Sequence, residues 1–310
     1  MRIILSRKGF DSSSGGCPSP ILQGKYLRSL PIPECCSGAT SSFSGTKYED
    51  IGNDDGNSMG DIVESLTKCE KCVEVRIKRD ANAHLDPDID KKSLPRDEGW
   101  RGVFGQCGSS QSHLENQGVK EGDLFLFFGL YRQTEGNAKE LKFAKGSPEI
   151  HTIWGWLQIG AIIDVVNERN KIPAWCEYHP HVVHSERYEK PNVIYISKET
   201  LDIPGLQASQ PPLSGCNVFP TFDTRLQLTA KDTKNPSQWS LPVWFKEKLS
   251  YHSNPDFWSE CENDNSKILL NSVGRGQEFV IDISKNTEVA SNWLRNIFAH
   301  KNHPNPLNVQ

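Results

Sequence analysis

"GDLFLFFGLY" (residues 122–131) and "HTIWGWLQIGAIIDV" (151–165) are the strongest strand signals in the chain. Both are rich in Phe, Trp, Ile and Leu, and a short apolar run of this kind suits a strand buried on both faces. A polar excursion, "RQTEGNAKELKFAKGSPE" (132–149), separates them. The two are therefore expected to form the centre of a sheet. Working outward, "RIILS" (2–6), "CVEVRIKRD" (72–80), "NVIYIS" (192–197) and "GQEFVIDI" (276–283) read as further strands. "SSQSHLENQ" (109–117) reads as a short helix capped by Ser109 or Ser110 and stopped at Gly118. "TEVASNWLRNIFAH" (287–300) reads as a closing helix with Thr287 as N-cap and Val289, Trp293, Leu294, Ile297 and Phe298 on one apolar stripe. The chain does not alternate strands with long helices as a doubly wound fold does. The expected class is α+β: a β-rich mixed sheet or small barrel with peripheral helices, one unit over residues 1–310, with a flexible Gly/Ser/Asp-rich loop at 35–60.

Composition narrows the function. With 36% hydrophobic and 24% charged residues the chain reads as a soluble globular protein. A formal net charge of −4 lacks the basic excess of a protein that grips long duplex nucleic acid by charge alone. The longest apolar run, 153–166, is shorter than a membrane span and contains Gln158 and Asp164, so no membrane association is expected. "MRIILSRKGF" has too short an apolar core for a secretion signal, which makes the nine cysteines reduced thiols of a cytoplasmic protein. "KCEKC" (68–72) offers one C-x-x-C pair, Cys69 and Cys72, without a second at zinc-ribbon spacing. No dinucleotide fingerprint, P-loop or G-x-S-x-G elbow is present.

Five stretches combine groups that can bind or react. In "AHLDPDID" (83–90) an extended backbone would set His84, Asp86 and Asp88 on one edge, a donor set suited to a divalent metal or to acid and base work. In "FGQCGSSQSH" (104–113) a glycine-rich loop opens a helix, an arrangement suited to a phosphate, with Ser109 on the first turn, Gln106 and Gln111 able to read a base edge, and His113 able to carry a proton. "SRKGFDS" (6–12) supplies Arg7 and Lys8 for a phosphate and Asp11 as a base or ribose contact. "GRGQEFVID" (274–282) places Arg275, Gln277 and Glu278 at one strand corner, a cationic fork beside a carboxylate. "YHPHVVH" (178–184) holds His179, His181 and His184, which could ligate zinc but have no acidic or cysteine partner nearby in sequence.

Taken together, "IILSRKGFDSSSGGCPSPI" (3–21), "HLDPDI" (84–89), "GWRGVFGQCGSSQSHL" (99–114), "GDLFLFFG", "IWGWLQIG", "YHPHV" and "GRGQEFVID" resemble the nucleotide modification associated domain 3 family. The resemblance runs from residue 2 to about 283. It implies a role in a system that modifies DNA bases or nucleotides, with a nucleotide or modified base as ligand and other proteins of that system as partners. A looser similarity concerns Gly122 and Asp123, "LFLFFG" and "WGWLQIGAIIDV", which look like the entry into the core strands of PUA-like barrels of the EVE, ASCH and YTH group. That likeness implies a reader of a modified or flipped base. The combined expectation is a hydrolase or transferase with Asp11, His84, Asp86, Asp88, His113 and Glu278 as reacting groups and the polar residues of the two loops and the late corner around a nucleotide, with a non-catalytic reader as the alternative.

Overall fold

A computed structural model of the chain describes residues 1–34, 45–52, 58–68, 76–206, 212–262, 264–274 and 278–299. Among these, twelve strands run in chain order: β1 Arg2–Arg7, β2 Ser19–Ile21, β3 Val103–Cys107, β4 Leu124–Glu135, β5 Lys142–Phe143, β6 Glu149–Asp164, β7 Asn192–Ser197, β8 Cys216–Val218, β9 Gln238–Pro242, β10 Trp258–Glu260, β11 Lys267–Asn271 and β12 Glu278–Asp282. Four α-helices accompany them: α1 Met59–Thr67, α2 Gly108–Asn116, α3 Pro180–Val183 and α4 Thr287–Phe298. The main mixed sheet has the order β12-β1-β4-β6-β7-β3, with β2 and β5 on β4 and β8 on β6, and a smaller sheet has the order β10-β11-β9. No helix among the described residues is long and apolar enough to cross a membrane.

The two opening stretches become β4 and β6, antiparallel partners at the middle of the sheet. Their residues are apolar on both faces because both faces are covered. Phe125 and Phe127 pack against Phe104 of β3, while Phe128 packs on Trp239 and Phe279 from the other side. The sheet curls until side chains of its two end strands meet: Gln106 of β3 donates to Glu278 of β12 at 2.7 Å. No backbone ladder joins β3 to β12, so the sheet is open and the barrel alternative does not hold.

Three local expectations change. Arg76–Asp80 is not a strand, because the Ile77 N–H goes to Thr67 Oγ1 of α1 at 3.0 Å instead of to a neighbouring strand. Cys69, Cys72, Val73 and Val75 lie outside the described residues, as do 35–44 and 53–57 of the polar loop. The described part of that loop holds Tyr48, whose buried ring stands edge-on to Phe10 and whose hydroxyl donates to the Pro31 carbonyl at 2.7 Å. Helix α2 begins at Gly108 with Cys107 as N-cap, and Gly118 at φ +67° follows its end. Helix α4 has Asn286 as N-cap and turns Leu294 and Ile297 inward, leaving Val289 exposed.

His151 of β6 gives the fold a built-in acid sensitivity. Its buried Nδ1 accepts the Trp239 indole N–H at 3.0 Å, which requires an unprotonated nitrogen. Burial, helped by the charge of Arg7, pushes its pKa down to about 3. In the unfolded chain a histidine takes up its proton near pH ~6.5. The unfolded state therefore binds the extra proton between about pH 6.5 and 3, so this contribution is full above that window and declines as pH falls through it. Between pH 7 and 5 the loss should reach about 2 kcal/mol. Urea titrations across that range should give a shallower pH slope for His151→Gln, by about one proton; equal slopes would contradict this account.

Candidate active site

β3 is an end strand, and its alternation sends side chains to opposite faces of the sheet. Phe104 and Gln106 point to the aromatic interior, whereas Gly105 and Cys107 face a group of polar side chains supplied by residues 84–86 and 179–192. The centre of that group is Asp86. Its Oδ1 accepts the Gly105 N–H at 2.8 Å and lies 3.3 Å from His179 Nε2. Its Oδ2 lies 3.7 Å from His84 Nε2 and 3.7 Å from His181 Nε2. Three imidazoles thus surround one carboxylate whose side chain is only 5% exposed. One ligand atom each from His84, Asp86 and His181 lie within 4.8 Å of one another.

Each ring is held by its neighbours. Pro180 opens α3, which places His179 at the N-cap and His181 inside the first turn, both buried against the sheet. His181 Nδ1 bonds Asn192 Oδ1 at 2.7 Å, the Asn192 amide donates to the His181 carbonyl, and Tyr188 stacks on the ring at 3.9 Å. His84 is the most open of the three, with Nδ1 3.5 Å from the Tyr188 hydroxyl. Both ring nitrogens of His179 are buried without a hydrogen-bond partner, since its approach to Asp86 lacks the alignment of a bond.

Electrostatics fix the charge states. Burial alone would raise the Asp86 pKa, but the contacts with His179, His84 and His181 outweigh it and hold the carboxyl well below its usual range. Burial pushes His181 down to about 3, against the pull of Asp86. Burial raises the half-buried Cys107 thiol, as do the charges of Asp86 and Glu189, while Lys8 opposes them.

Asp88 takes a different path. Its backbone pairs with Val103, and its carboxylate is gripped by both terminal nitrogens of Arg96 at 2.6 and 2.7 Å and by the Tyr178 hydroxyl. It is fully buried in that ion pair, separated from the Asp86 cluster though only two residues along. Lys8, Gln106, His113 and Glu278 gather on the interior side. Lys8 Nζ reaches Glu278 Oε1 at 3.0 Å and lies over the Phe104 ring, and His113 touches Ser250 and stacks on Tyr251. Gln106 is engaged at both ends, since its amide donates to Glu278 and its oxygen accepts the Cys107 N–H. Gln111 accepts the Tyr195 hydroxyl, and Ser109 is exposed on α2. The Gly108 N–H is spent on the carbonyls of Pro191 and Glu189, so the start of α2 offers less to an anion than the glycines imply. Arg7 and Asp11 line a separate cleft of about 290 Å³, where Arg7 binds the Val273 and Gly274 carbonyls and Asp11 caps its own turn. Arg275 and Gln277 lie outside the described residues.

The two halves of this centre are legible in the sequence, but their union is not. His84 and Asp86 stood in one candidate and His179 and His181 in another, and the missing acidic partner of the histidines is Asp86, 95 positions before His181. Gly105 makes the meeting possible: a Cβ there would sit 2.3 Å from His181 Cδ2. Gly105→Ala should lower stability by about 1–3 kcal/mol in a denaturant titration, the usual penalty of overpacking a filled site. An unchanged midpoint would mean that the ring moves aside freely.

With this geometry established, comparison with known proteins adds one match. A family model described as nucleotide modification associated domain 3 covers residues 2–282. No curated protein and no solved structure matches.

Proposed function

Because the chain belongs to the nucleotide modification associated domain 3 family, whose name ties it to systems that modify nucleotides, we propose that it acts on a nucleotide or modified base as a hydrolase or transferase, with Asp86 and its histidines as the reacting centre. The observation that carries this reading is the buried Asp86 carboxylate with imidazole nitrogens at 3.3, 3.7 and 3.7 Å and no arginine or lysine partner among the described residues. The contrast lies two residues along. Asp88 is neutralised by a bidentate arginine, the arrangement by which a fold tolerates a buried charge. Asp86 is instead surrounded by groups that gain, lose or share protons, the type of perturbed cluster concentrated at reacting sites.

Hydrolysis and group transfer both need a nucleophile relieved of a proton and a leaving group supplied with one. Imidazoles fixed beside an ionised carboxylate serve that purpose. His84, Cys107 and Tyr188 are only partly buried and form the rim through which a substrate would arrive. Lys8 lies close enough to Cys107 to influence its thiol and contributes positive charge at the same end of β3. In this reading DNA or a nucleotide is the ligand, and other proteins of the modification system act before or after this step.

The test is to incubate the protein with DNA and free nucleotides carrying modified bases and to follow products by mass spectrometry. Turnover by the wild type that is lost in His84→Ala supports the reading. If the wild type binds modified DNA without converting it, and His84→Ala binds equally well, the protein is a reader and the enzymatic proposal fails.

A further inference from the structure

We propose that His84 Nε2, Asp86 Oδ2 and His181 Nε2 form a binding site for one divalent transition-metal ion of the zinc type. This deepens the preceding reading by naming the ion at the reacting centre, and its test counts ions, so it does not depend on finding a substrate.

The first argument is spacing. Zinc takes imidazole nitrogen at ~2.0–2.1 Å and carboxylate oxygen at ~2.0–2.2 Å, and tetrahedral ligands at those radii stand about 3.3–3.5 Å apart. The two nitrogen-to-Oδ2 separations are 3.7 Å each, too long for hydrogen bonds and a few tenths of an ångström wider than a filled tetrahedral edge. All three ligand atoms lie within 4.8 Å of one another, a span that small side-chain movements close onto one ion.

The second argument is the surrounding support. Asn192 Oδ1 accepts from His181 Nδ1 at 2.7 Å, which leaves the lone pair on Nε2 directed at Asp86, the usual way a ligating histidine is oriented from behind. The Gly105 N–H holds Asp86 Oδ1 at 2.8 Å and so leaves Oδ2 to the ion. The third argument is His179. Its imidazole is fully buried, neither ring nitrogen has a hydrogen-bond partner, and Nε2 stands 3.3 Å from Asp86 Oδ1. With His179 against Oδ1, the oxygen turned to His84 and His181 is Oδ2.

Two imidazoles and one carboxylate leave a coordination position open, the pattern of a catalytic centre rather than a closed structural one. A water there becomes acidic enough to supply hydroxide near neutral pH. Hydrolysis then balances with water alone: hydroxide adds to the electrophilic atom of the substrate, the bond to the leaving group breaks, and the proton from the water ends on the leaving group.

The experiment is calorimetric titration of the chelator-stripped 310-residue chain with zinc chloride, with Co²⁺ in a parallel titration to read coordination from its visible spectrum. The expected result is one equivalent of zinc and a tetrahedral Co²⁺ spectrum. Affinity should fall at least about 100-fold in His84→Ala and in His181→Ala. It should not change in Cys69→Ser/Cys72→Ser, the pair most able to bind zinc elsewhere. The proposal is overturned if the wild type takes up no ion, if either histidine variant with a native circular dichroism spectrum retains wild-type affinity, or if the double cysteine variant loses the ion. A chain that binds the ion at these groups yet converts no nucleotide would sink the proposed function and leave the site standing. Turnover that survives stripping, in a chain that takes up no ion in the titration, would do the reverse.

Discussion

An Asp86→Asn variant is expected to lose nucleotide turnover by at least about 100-fold while keeping its fold. The amide has the shape of the carboxylate, and its oxygen can still accept the Gly105 N–H that now reaches Asp86 Oδ1 at 2.8 Å. What disappears is the negative charge toward which His84, His179 and His181 turn. Without it an imidazolium at this site has no counter-charge, and an ion between Asp86 and the two histidines loses its one anionic ligand. Activity and zinc uptake should therefore fall together. If Asp86→Asn retained full turnover on a substrate that the wild type converts, the centre of the reaction would have to lie elsewhere, with the Lys8–Glu278 pair the next place to look.

The second large effect concerns stability. Arg96→Met should destabilise the protein by about 3–5 kcal/mol, because it strands the Asp88 carboxylate as an uncompensated charge in the interior. Asp88 is fully buried and Arg96 holds both of its oxygens, while the guanidinium also lies over the Trp100 ring at 4.1 Å. Adding Asp88→Asn to the same chain should restore much of the loss, since breaking a buried pair costs more than removing both charges. Denaturant titration of the two single variants and the double variant gives the coupling directly. Additive losses would mean that the pair contributes little, and the structural role assigned to Asp88 would fall.

These two aspartates mark where the sequence could and could not be read. In "HLDPDI" they look equivalent, and alternation along an extended chain predicts one common edge. The fold separates them because Arg96, eight residues beyond Asp88, captures one, and α3, roughly ninety residues beyond Asp86, captures the other. Sequence spacing carries no information about which partner arrives through tertiary packing. The central strands were legible for the opposite reason: burial on both faces leaves a continuous apolar run that nothing else in the chain imitates. Helix α1 was hidden because Met59, Ile62, Val63 and Leu66 stand at helical spacing beside a long polar stretch. The small sheet was hidden because β9, β10 and β11 are three to five residues long, too short for a period to register. His179 and His181 were recognised as metal-ligand types, but only the Gly105 gap in β3 lets them reach the acid they lacked.

Crystals of the chain grown with zinc, measured on both sides of the zinc absorption edge, provide the most direct test of the Asp86 centre. The account predicts one anomalous peak bonded to His84, Asp86 and His181 at once, with Asp88 still held by Arg96. A map with no peak there, and with His84 or His181 turned away from the carboxylate, would contradict it.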